Sequence, residues 1–205
     1  MSIPRFTWAR IGVFGGTFDP PHIGHLLVAG DAAEKLGLDG VLWVPAATQP
    51  LKAAQAPAAD AEARLRMVEL SVEGDPRFAV ERLELERGGL SFTVDTLALL
   101  REQHPAAELT LLLGEDSWST FPAWRDPARI RKLARVVVLT RDEAGQSADE
   151  PSAATDAGEP PERISTRRID VSATEIRQRV REGRSIRGFV TERVERFIGE
   201  HGIYR

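Results

Sequence analysis

The chain has 205 residues, which is long enough for one domain with a substantial buried core. Its formal net charge of −4 argues against an extended nucleic-acid surface, and the absence of cysteine excludes disulfides, thiol catalysis and zinc–thiolate sites. Because no apolar run reaches about 18 residues and no signal-peptide pattern is present, we expect no membrane partner and a cytoplasmic location.

Apolar runs of strand length alternate with segments of helical periodicity along most of the chain. Strands are predicted at Ile11–Phe14, Val41–Val44, Phe78–Val80, Leu109–Leu113 and Val136–Leu139, with a last short one near Arg167–Ile169. This alternation predicts an α/β fold: a doubly wound Rossmann-like parallel sheet with C-terminal helices. We expect a single domain over residues 1–205, within which the polar stretch 142–163 forms a flexible surface loop.

The first predicted strand runs directly into a glycine turn and the start of a helix. Backbone N–H groups of Gly15–Thr17 can approach an anion closely, and a helix N-terminus adds donors and a positive dipole end. We predict Asp19 as the N-cap of this helix, with Pro20 at its first position. His22 and His25 are three residues apart, so both imidazoles project from one face toward the turn. The pattern predicts chemistry on a phosphate group.

Other interpretations of this segment are weaker. The glycines do not form the dinucleotide-binding pattern G-x-G-x-x-G, and the P-loop pattern is absent. A zinc site needs three or four ligands, whereas the remaining histidines, His104 and His201, lie in unrelated helix-end contexts. A helix cap with two surface histidines stays open as an alternative, but turn, cap and paired histidines occurring together favour phosphate chemistry.

The segment Gly15-Gly16-Thr17-Phe18-Asp19, followed by His22-x-Gly24-His25, resembles the signature of the H-x-G-H nucleotidyltransferases. Apart from residues 142–163, the whole chain is similar to the bacterial nicotinate-nucleotide adenylyltransferase family. The resemblance implies transfer of AMP from ATP to nicotinate mononucleotide, giving deamido-NAD and pyrophosphate in NAD biosynthesis. It implies catalytic roles for His22 and His25, ATP binding by Gly15, Gly16, Thr17 and Phe18, and Mg²⁺ carried with ATP rather than held by protein ligands. The sequence leaves the oligomeric state open, a homo-oligomer included.

Two later segments have side chains suited to the rest of a nucleotide. Ser172 is predicted to cap a helix, and a hydroxyl at Thr174 with a guanidinium at Arg177 could meet a second phosphate. Gly114 and Asp116 follow the fourth strand, where a carboxylate can accept ribose hydroxyls, although an N-cap role explains Asp116 equally well. The segments are similar to the family's elements I-S-S-T-x-I-R, with one serine replaced by alanine, and G-x-D. The resemblance implies that these five residues bind ATP.

The acceptor side is suggested by three further segments. Phe92 and Thr93 belong to a stretch whose hydroxyls are good helix caps, and which also matches the family's S-[YF]-T-x-x-T element at the nicotinate carboxylate. A lone tryptophan is usually part of the core, whereas the resemblance makes Trp124 the stacking surface for the pyridine ring. Lys52 could reach a phosphate from the loop after the second strand, or lie in solvent. In this loop Leu51 replaces a histidine that the family expects.

Two other functions stay open at this level. The chain could be a related transferase that uses another acceptor, such as nicotinamide mononucleotide or a phosphopantetheine. It could instead be a nucleotide-binding regulatory protein without chemistry, although the intact His22, His25 and Arg177 argue against that.

Overall fold

The protein is represented by a computed structural model that describes residues 7–52, 56–140 and 160–205. Within these ranges, the strands are β1 (Arg10–Gly16), β2 (Gly40–Pro45), β3 (Phe78–Val80), β4 (Glu108–Gly114), β5 (Arg135–Thr140) and β6 (Glu162–Ser165). The helices are α1 (Ile23–Leu36), α2 (Ala61–Val72), α3 (Leu83–Arg87), α4 (Thr93–Gln103), α5 (Glu115–Ser119), α6 (Pro127–Leu133), α7 (Ala173–Arg181) and α8 (Glu192–His201). Short 3-10 turns cover Pro50–Lys52 and Phe121–Ala123.

The strands form one parallel sheet in the order β3-β2-β1-β4-β5-β6. The chain first builds outward from β1 through β2 to β3 and then crosses back to place β4 on the other side of β1. The carboxyl ends of β1 and β4 therefore lie beside a topological switch point, where sheets of this kind bind ligands. The α/β doubly wound prediction is confirmed, and so are the first five strands.

The last predicted strand was placed wrongly. Residues 167–169 are not in a strand; the strand is Glu162–Ser165, in which Ile164 pairs with Leu139 of β5. The last bonds of this ladder are those that the Thr140 carbonyl accepts from the backbone and hydroxyl of Thr166 (2.8 and 3.1 Å). The next residue, Arg167, donates from its backbone and its guanidinium to Asp31 of α1, and the chain leaves β5. Residues 162 and 163 thus belong to the sheet and not to the predicted loop, and residues 142–159 of that loop lie outside the described residues.

Apolar side chains cover both faces of the sheet, as alternation along the strands requires. On one face Ile11 and Val13 pack with α4 and α6, and on the other Val41 and Trp43 pack with α1 and α2. A third cluster joins α7, α8 and the chain's end to Met67 of α2. The predicted C-terminal helices are therefore attached to the sheet through α2, close to the first glycine turn.

Candidate active site

A cleft of about 1090 Å³ lies at the carboxyl ends of the strands, beside the switch point. Its walls come from the turn after β1, the loop after β2, the starts of α4 and α5, and the segment before α7. Fourteen residues predicted to form the site line it: Gly15, Gly16, Thr17, Phe18, His22, His25, Phe92, Thr93, Gly114, Asp116, Trp124, Ser172, Thr174 and Arg177. The side chain of the remaining one, Lys52, lies outside the described part of the structure, while the exposed neighbouring Leu51 does line the cleft.

The two histidines of the motif stack on each other at the start of α1. Their ring centroids are 3.7 Å apart, with an angle of 24° between the planes. The backbone N–H of His22 donates to Nδ1 of His25 (3.1 Å), so that nitrogen is an acceptor and the ring proton of neutral His25 is on Nε2. The sequence-based expectation that both rings share one face is met.

Three further aromatic rings surround His25. Phe14, Phe18 and Trp43 lie edge-on to it, with centroid distances of 6.1, 5.2 and 6.4 Å. Burial lowers the pKa of His25 well below its ordinary value near 6.5, and the neighbouring His22 lowers it further. His25 is therefore a neutral imidazole that presents an Nε2–H donor in a fixed orientation.

The predicted N-cap role of Asp19 is wrong. The helix begins at Ile23 with His22 as its N-cap. Asp19 is buried, and its carboxylate accepts hydrogen bonds from the backbone of Ala58 (2.7 Å) and Ala59 (3.0 Å) and from the hydroxyl of Tyr204 (2.7 Å). These long-range donors occupy the carboxylate that a cap would need. The Ile23 amide donates instead to the Phe189 carbonyl (2.9 Å).

A buried arginine supports the glycine turn from inside the protein. The side chain of Arg64 on α2 donates to the carbonyls of Thr17 (2.8 Å), Ala46 (2.7 Å) and Ala47 (3.3 Å), and so ties the turn after β1 to the loop after β2. The turn is tightly constrained, since Phe18 has a φ of 50° and a Cβ on Gly16 would lie 2.8 Å from its ring. Sequence reasoning missed Arg64, because an arginine on an amphipathic helix usually faces solvent.

The start of α7 brings the second group of predicted phosphate ligands to the same cleft. Ser172 caps the helix by accepting from the backbone N–H of Glu175 (3.1 Å), as predicted. Arg177 donates through Nη1 to the Asp19 carbonyl (2.7 Å) and through Nη2 to the Thr174 hydroxyl (3.1 Å). The guanidinium is thereby held between α7 and the glycine turn, with its side chain 22% exposed.

At the other end of the cleft, α4 begins at Thr93 with Phe92 as its N-cap. The neighbouring hydroxyls do not cap the helix as expected. Ser91 accepts from the Ala47 backbone N–H (2.9 Å), and the Thr96 hydroxyl donates to the buried carboxylate of Glu84 (2.6 Å). Ser91 thus connects the turn before α4 to the loop after β2, and Thr96 connects α4 to α3.

Trp124 is partly buried in the cleft wall, where its ring packs against Phe121 at 5.5 Å and its indole N–H donates to Thr120 (3.2 Å). Arg125, which sequence reasoning did not select, also lines the cleft. Its guanidinium lies 4.8 Å from the centre of the Phe92 ring and 3.3 Å from Asp95. This end of the cleft thus carries an arginine, paired with Asp95, beside the start of α4.

The end of β4 excludes the alternative explanation of Asp116 as a helix cap. Gly114 is the N-cap of α5, and Asp116 is exposed and lines the cleft. Among the described residues, no three histidine, cysteine or acidic side chains are grouped so as to hold a metal ion. Nor does any helix in those ranges have the length and apolar character needed to cross a membrane.

Comparison with known proteins identifies relatives over nearly the whole chain. The cytidylyltransferase-like family model matches residues 13–179. A Gemmatimonas aurantiaca protein named "Probable nicotinate-nucleotide adenylyltransferase" is 51% identical, with 96% of this chain and 92% of the relative covered. A Thermus thermophilus protein of the same name is 44% identical, with 96% of this chain and all of the relative covered (100%).

Solved structures agree on the fold. The Plasmodium falciparum nicotinic acid mononucleotide adenylyltransferase complexed with NaAD superposes with a TM-score of 0.73 at 16% identity, over 95% of this chain and 97% of that one. This likeness concerns the fold alone, whereas the sequence relatives define the family. The chain therefore belongs to the cytidylyltransferase-like proteins and, among them, to the nicotinate-nucleotide adenylyltransferase family.

Proposed function

We propose that the protein transfers AMP from ATP to nicotinate mononucleotide, giving deamido-NAD and pyrophosphate. The observation that carries this proposal is the stacked His22–His25 pair, oriented by the hydrogen bond to His25 Nδ1, in the same cleft as Arg177. Family membership supports the same reaction. A regulatory protein without chemistry would have no need of a neutral imidazole donor fixed beside phosphate ligands.

The reaction needs positioning and charge stabilisation more than covalent catalysis. A phosphate oxygen of the mononucleotide attacks the α-phosphorus of ATP, and the bond from that phosphorus to the pyrophosphate oxygen breaks in line. His25 Nε2–H, together with His22, donates to phosphate oxygens as negative charge moves to the leaving pyrophosphate. The glycine turn binds phosphate through its amides, and Thr174 and Arg177 bind the outer phosphates.

Magnesium is best understood as part of the ATP substrate. Mg²⁺ commonly binds through substrate phosphates, retained waters and one or two carboxylates, so an all-protein cage is not required. When bound to the triphosphate, the ion neutralises part of its charge. The chain's own contribution is the set of hydrogen-bond donors around the phosphates.

Acceptor choice is assigned to the start of α4. The N-terminus of this helix, at Phe92 and Thr93, offers backbone N–H groups and a positive dipole end to the nicotinate carboxylate. Trp124 stacks on the pyridine ring and tolerates acid or amide equally. Arg125, whose guanidinium lies 4.8 Å from the centre of the Phe92 ring, is paired with Asp95 and adds N–H donors that also favour the acid. An amide would present an NH₂ donor to these donors and leave it unpaired.

The test is release of pyrophosphate from Mg·ATP with nicotinate mononucleotide, nicotinamide mononucleotide or phosphopantetheine as the acceptor, with the product identified by mass. We expect deamido-NAD and a value of kcat/KM roughly tenfold to a hundredfold higher for the nicotinate than for the nicotinamide. Release with phosphopantetheine alone, or no turnover with any acceptor, would overturn the proposal. Equal kcat/KM for the two mononucleotides would overturn only the role given to the start of α4.

A further inference from the structure

The penultimate residue of the chain is hydrogen-bonded to the motif that forms the candidate active site. Tyr204 is buried, with 8% of its surface exposed, and packs in the C-terminal apolar cluster beside Met67. Its hydroxyl donates to Oδ1 of Asp19 at 2.7 Å, across 185 positions of sequence. It does not line the cleft, so any effect on substrates must pass through other residues.

Asp19 connects the hydroxyl of Tyr204 to Arg177, the arginine to which we assign ATP binding. Its carboxylate accepts from Tyr204 and from the amides of Ala58 and Ala59. Its backbone carbonyl accepts from Nη1 of Arg177 at 2.7 Å, while Oδ2 lies 4.0 Å from the same nitrogen. Asp19 therefore connects the Tyr204 hydroxyl to the guanidinium of Arg177 through two hydrogen bonds.

We propose that Tyr204 is a positioning residue for ATP, holding Asp19 so that the Asp19 carbonyl directs the guanidinium of Arg177 at the phosphates; the ATP role of Arg177 rests on the proposed function. Without the hydroxyl, Oδ1 of the buried carboxylate keeps, among the described residues, only the Ala59 amide, and the carboxylate shifts to regain a donor. The Asp19 backbone takes up part of this shift, and its carbonyl moves with it. Arg177 then loses one of its two fixed partners, and its guanidinium is no longer oriented before ATP binds.

The hydroxyl of Tyr204 stays protonated and can therefore donate its hydrogen bond at every pH used for assays. Burial and the adjacent Asp19 raise the pKa of Tyr204 far above its ordinary value, so the group remains a donor throughout the range in which the enzyme is assayed. Arg64, which is fully buried, donates to the Thr17 carbonyl. Two buried side chains, Arg64 and Tyr204, thus hold the glycine turn at Thr17 and at Asp19.

The substitution Tyr204→Phe removes the hydroxyl and leaves the ring. Its matched control is Ser71→Ala, since the buried hydroxyl of Ser71 donates to the carbonyl of Met67 (2.9 Å), the residue whose side chain contacts Tyr204, and not to Asp19. We expect Tyr204→Phe to raise the dissociation constant for the non-hydrolysable analogue α,β-methylene-ATP, and KM for ATP, by about tenfold. KM for the acceptor should be unchanged. Ser71→Ala removes a buried hydroxyl next to the same apolar cluster and should alter the ATP constants less than about twofold.

A double-mutant cycle tests the connection through Arg177. In an Arg177→Gln background, Tyr204→Phe should weaken analogue binding by less than about twofold, because the group that it positions is gone. Equal weakening in both backgrounds would overturn the proposal, and so would wild-type affinity in Tyr204→Phe. Analogue binding needs no turnover, so this result is independent of whether the proposed acceptor is correct.

A second measurement uses the wild-type sequence, in case Tyr204→Phe does not fold. The chain has one tyrosine, so growth with 3-fluorotyrosine places a single fluorine probe at Tyr204. We expect its ¹⁹F resonance to shift when α,β-methylene-ATP binds, and the shift to vanish in Arg177→Gln at saturating analogue. A resonance that does not respond to the analogue in the wild-type protein would refute the connection.

Discussion

The role of His25 can be tested by separating its two nitrogens. His25→Ala removes both the Nδ1 acceptor and the Nε2–H donor. His25→Asn keeps an acceptor oxygen near the position of Nδ1 for the His22 backbone N–H, but its side chain is too short to replace the Nε2 donor. The asparagine variant therefore preserves the helix start while removing the group that is proposed to contact phosphate.

The expected loss follows from how firmly the donor is held. The ring is fixed by one hydrogen bond and by edge-on contacts to Phe14, Phe18 and Trp43, so it needs no reorganisation during the reaction. Removing a preorganised donor of this kind typically lowers kcat by about 10²–10³, or roughly 2.7–4 kcal/mol of transition-state stabilisation. We expect both variants to lose kcat to this extent with little change in KM for ATP.

The two variants should differ in stability. Alanine leaves the partly buried His22 N–H without its acceptor, which costs about 1–3 kcal/mol, whereas asparagine restores that bond. Steady-state pyrophosphate release at saturating ATP and acceptor gives kcat, and thermal unfolding gives the stability difference. Near-normal kcat in folded His25→Asn would refute the donor role, and a loss confined to KM for ATP would show that His25 contributes only ground-state binding.

The lowered pKa of His25 has a defined consequence for stability. The folded protein keeps the ring neutral while the unfolded chain takes up a proton below about pH 6.5. The free energy of unfolding should therefore fall as the pH is lowered below about 6.5 and be insensitive to this group above it. His25→Asn should have a weaker decrease over the same interval, and an identical pH dependence in both proteins would contradict the assigned shift.

Three further predictions concern charged residues that line the cleft, Arg177, Arg125 and Glu84. Arg177→Gln should raise KM for ATP by about tenfold and leave KM for the acceptor unchanged; the reverse pattern would place Arg177 on the other substrate. Arg125→Gln should lower the preference for nicotinate over nicotinamide mononucleotide by about two- to fivefold, and the exposed Arg129→Gln, which is not part of the cleft wall, should not. Burial raises the pKa of Glu84, so its carboxyl favours the folded state at low pH and this contribution is lost as the pH rises above about 4.5. Glu84→Gln should remove that loss in Tm measurements from pH 4.5 to 8, and an unchanged profile would contradict the shift.

Features that depend on neighbours within a few residues could be predicted from the amino-acid sequence. Buried strands are continuous apolar runs and helices repeat at 3.6 residues, so spacing alone was enough for the first five strands and for their alternation with helices. The pairing of His22 with His25 is also local, because one helical turn places both rings together. The position of the cleft at the carboxyl ends of the strands followed from the predicted parallel sheet.

Contacts between distant segments became visible only in the folded chain. Asp19 looks like a helix cap in sequence, but donors from 39 to 185 positions away occupy its carboxylate. The last strand was misplaced because Arg167 bonds to Asp31, 136 positions earlier, and this contact directs the chain away from β5. Local spacing specifies what lies within one turn of helix or along one strand. Which loop or chain end meets a given polar group depends on how the whole chain folds back, and buried polar groups take the partners that this folding brings to them.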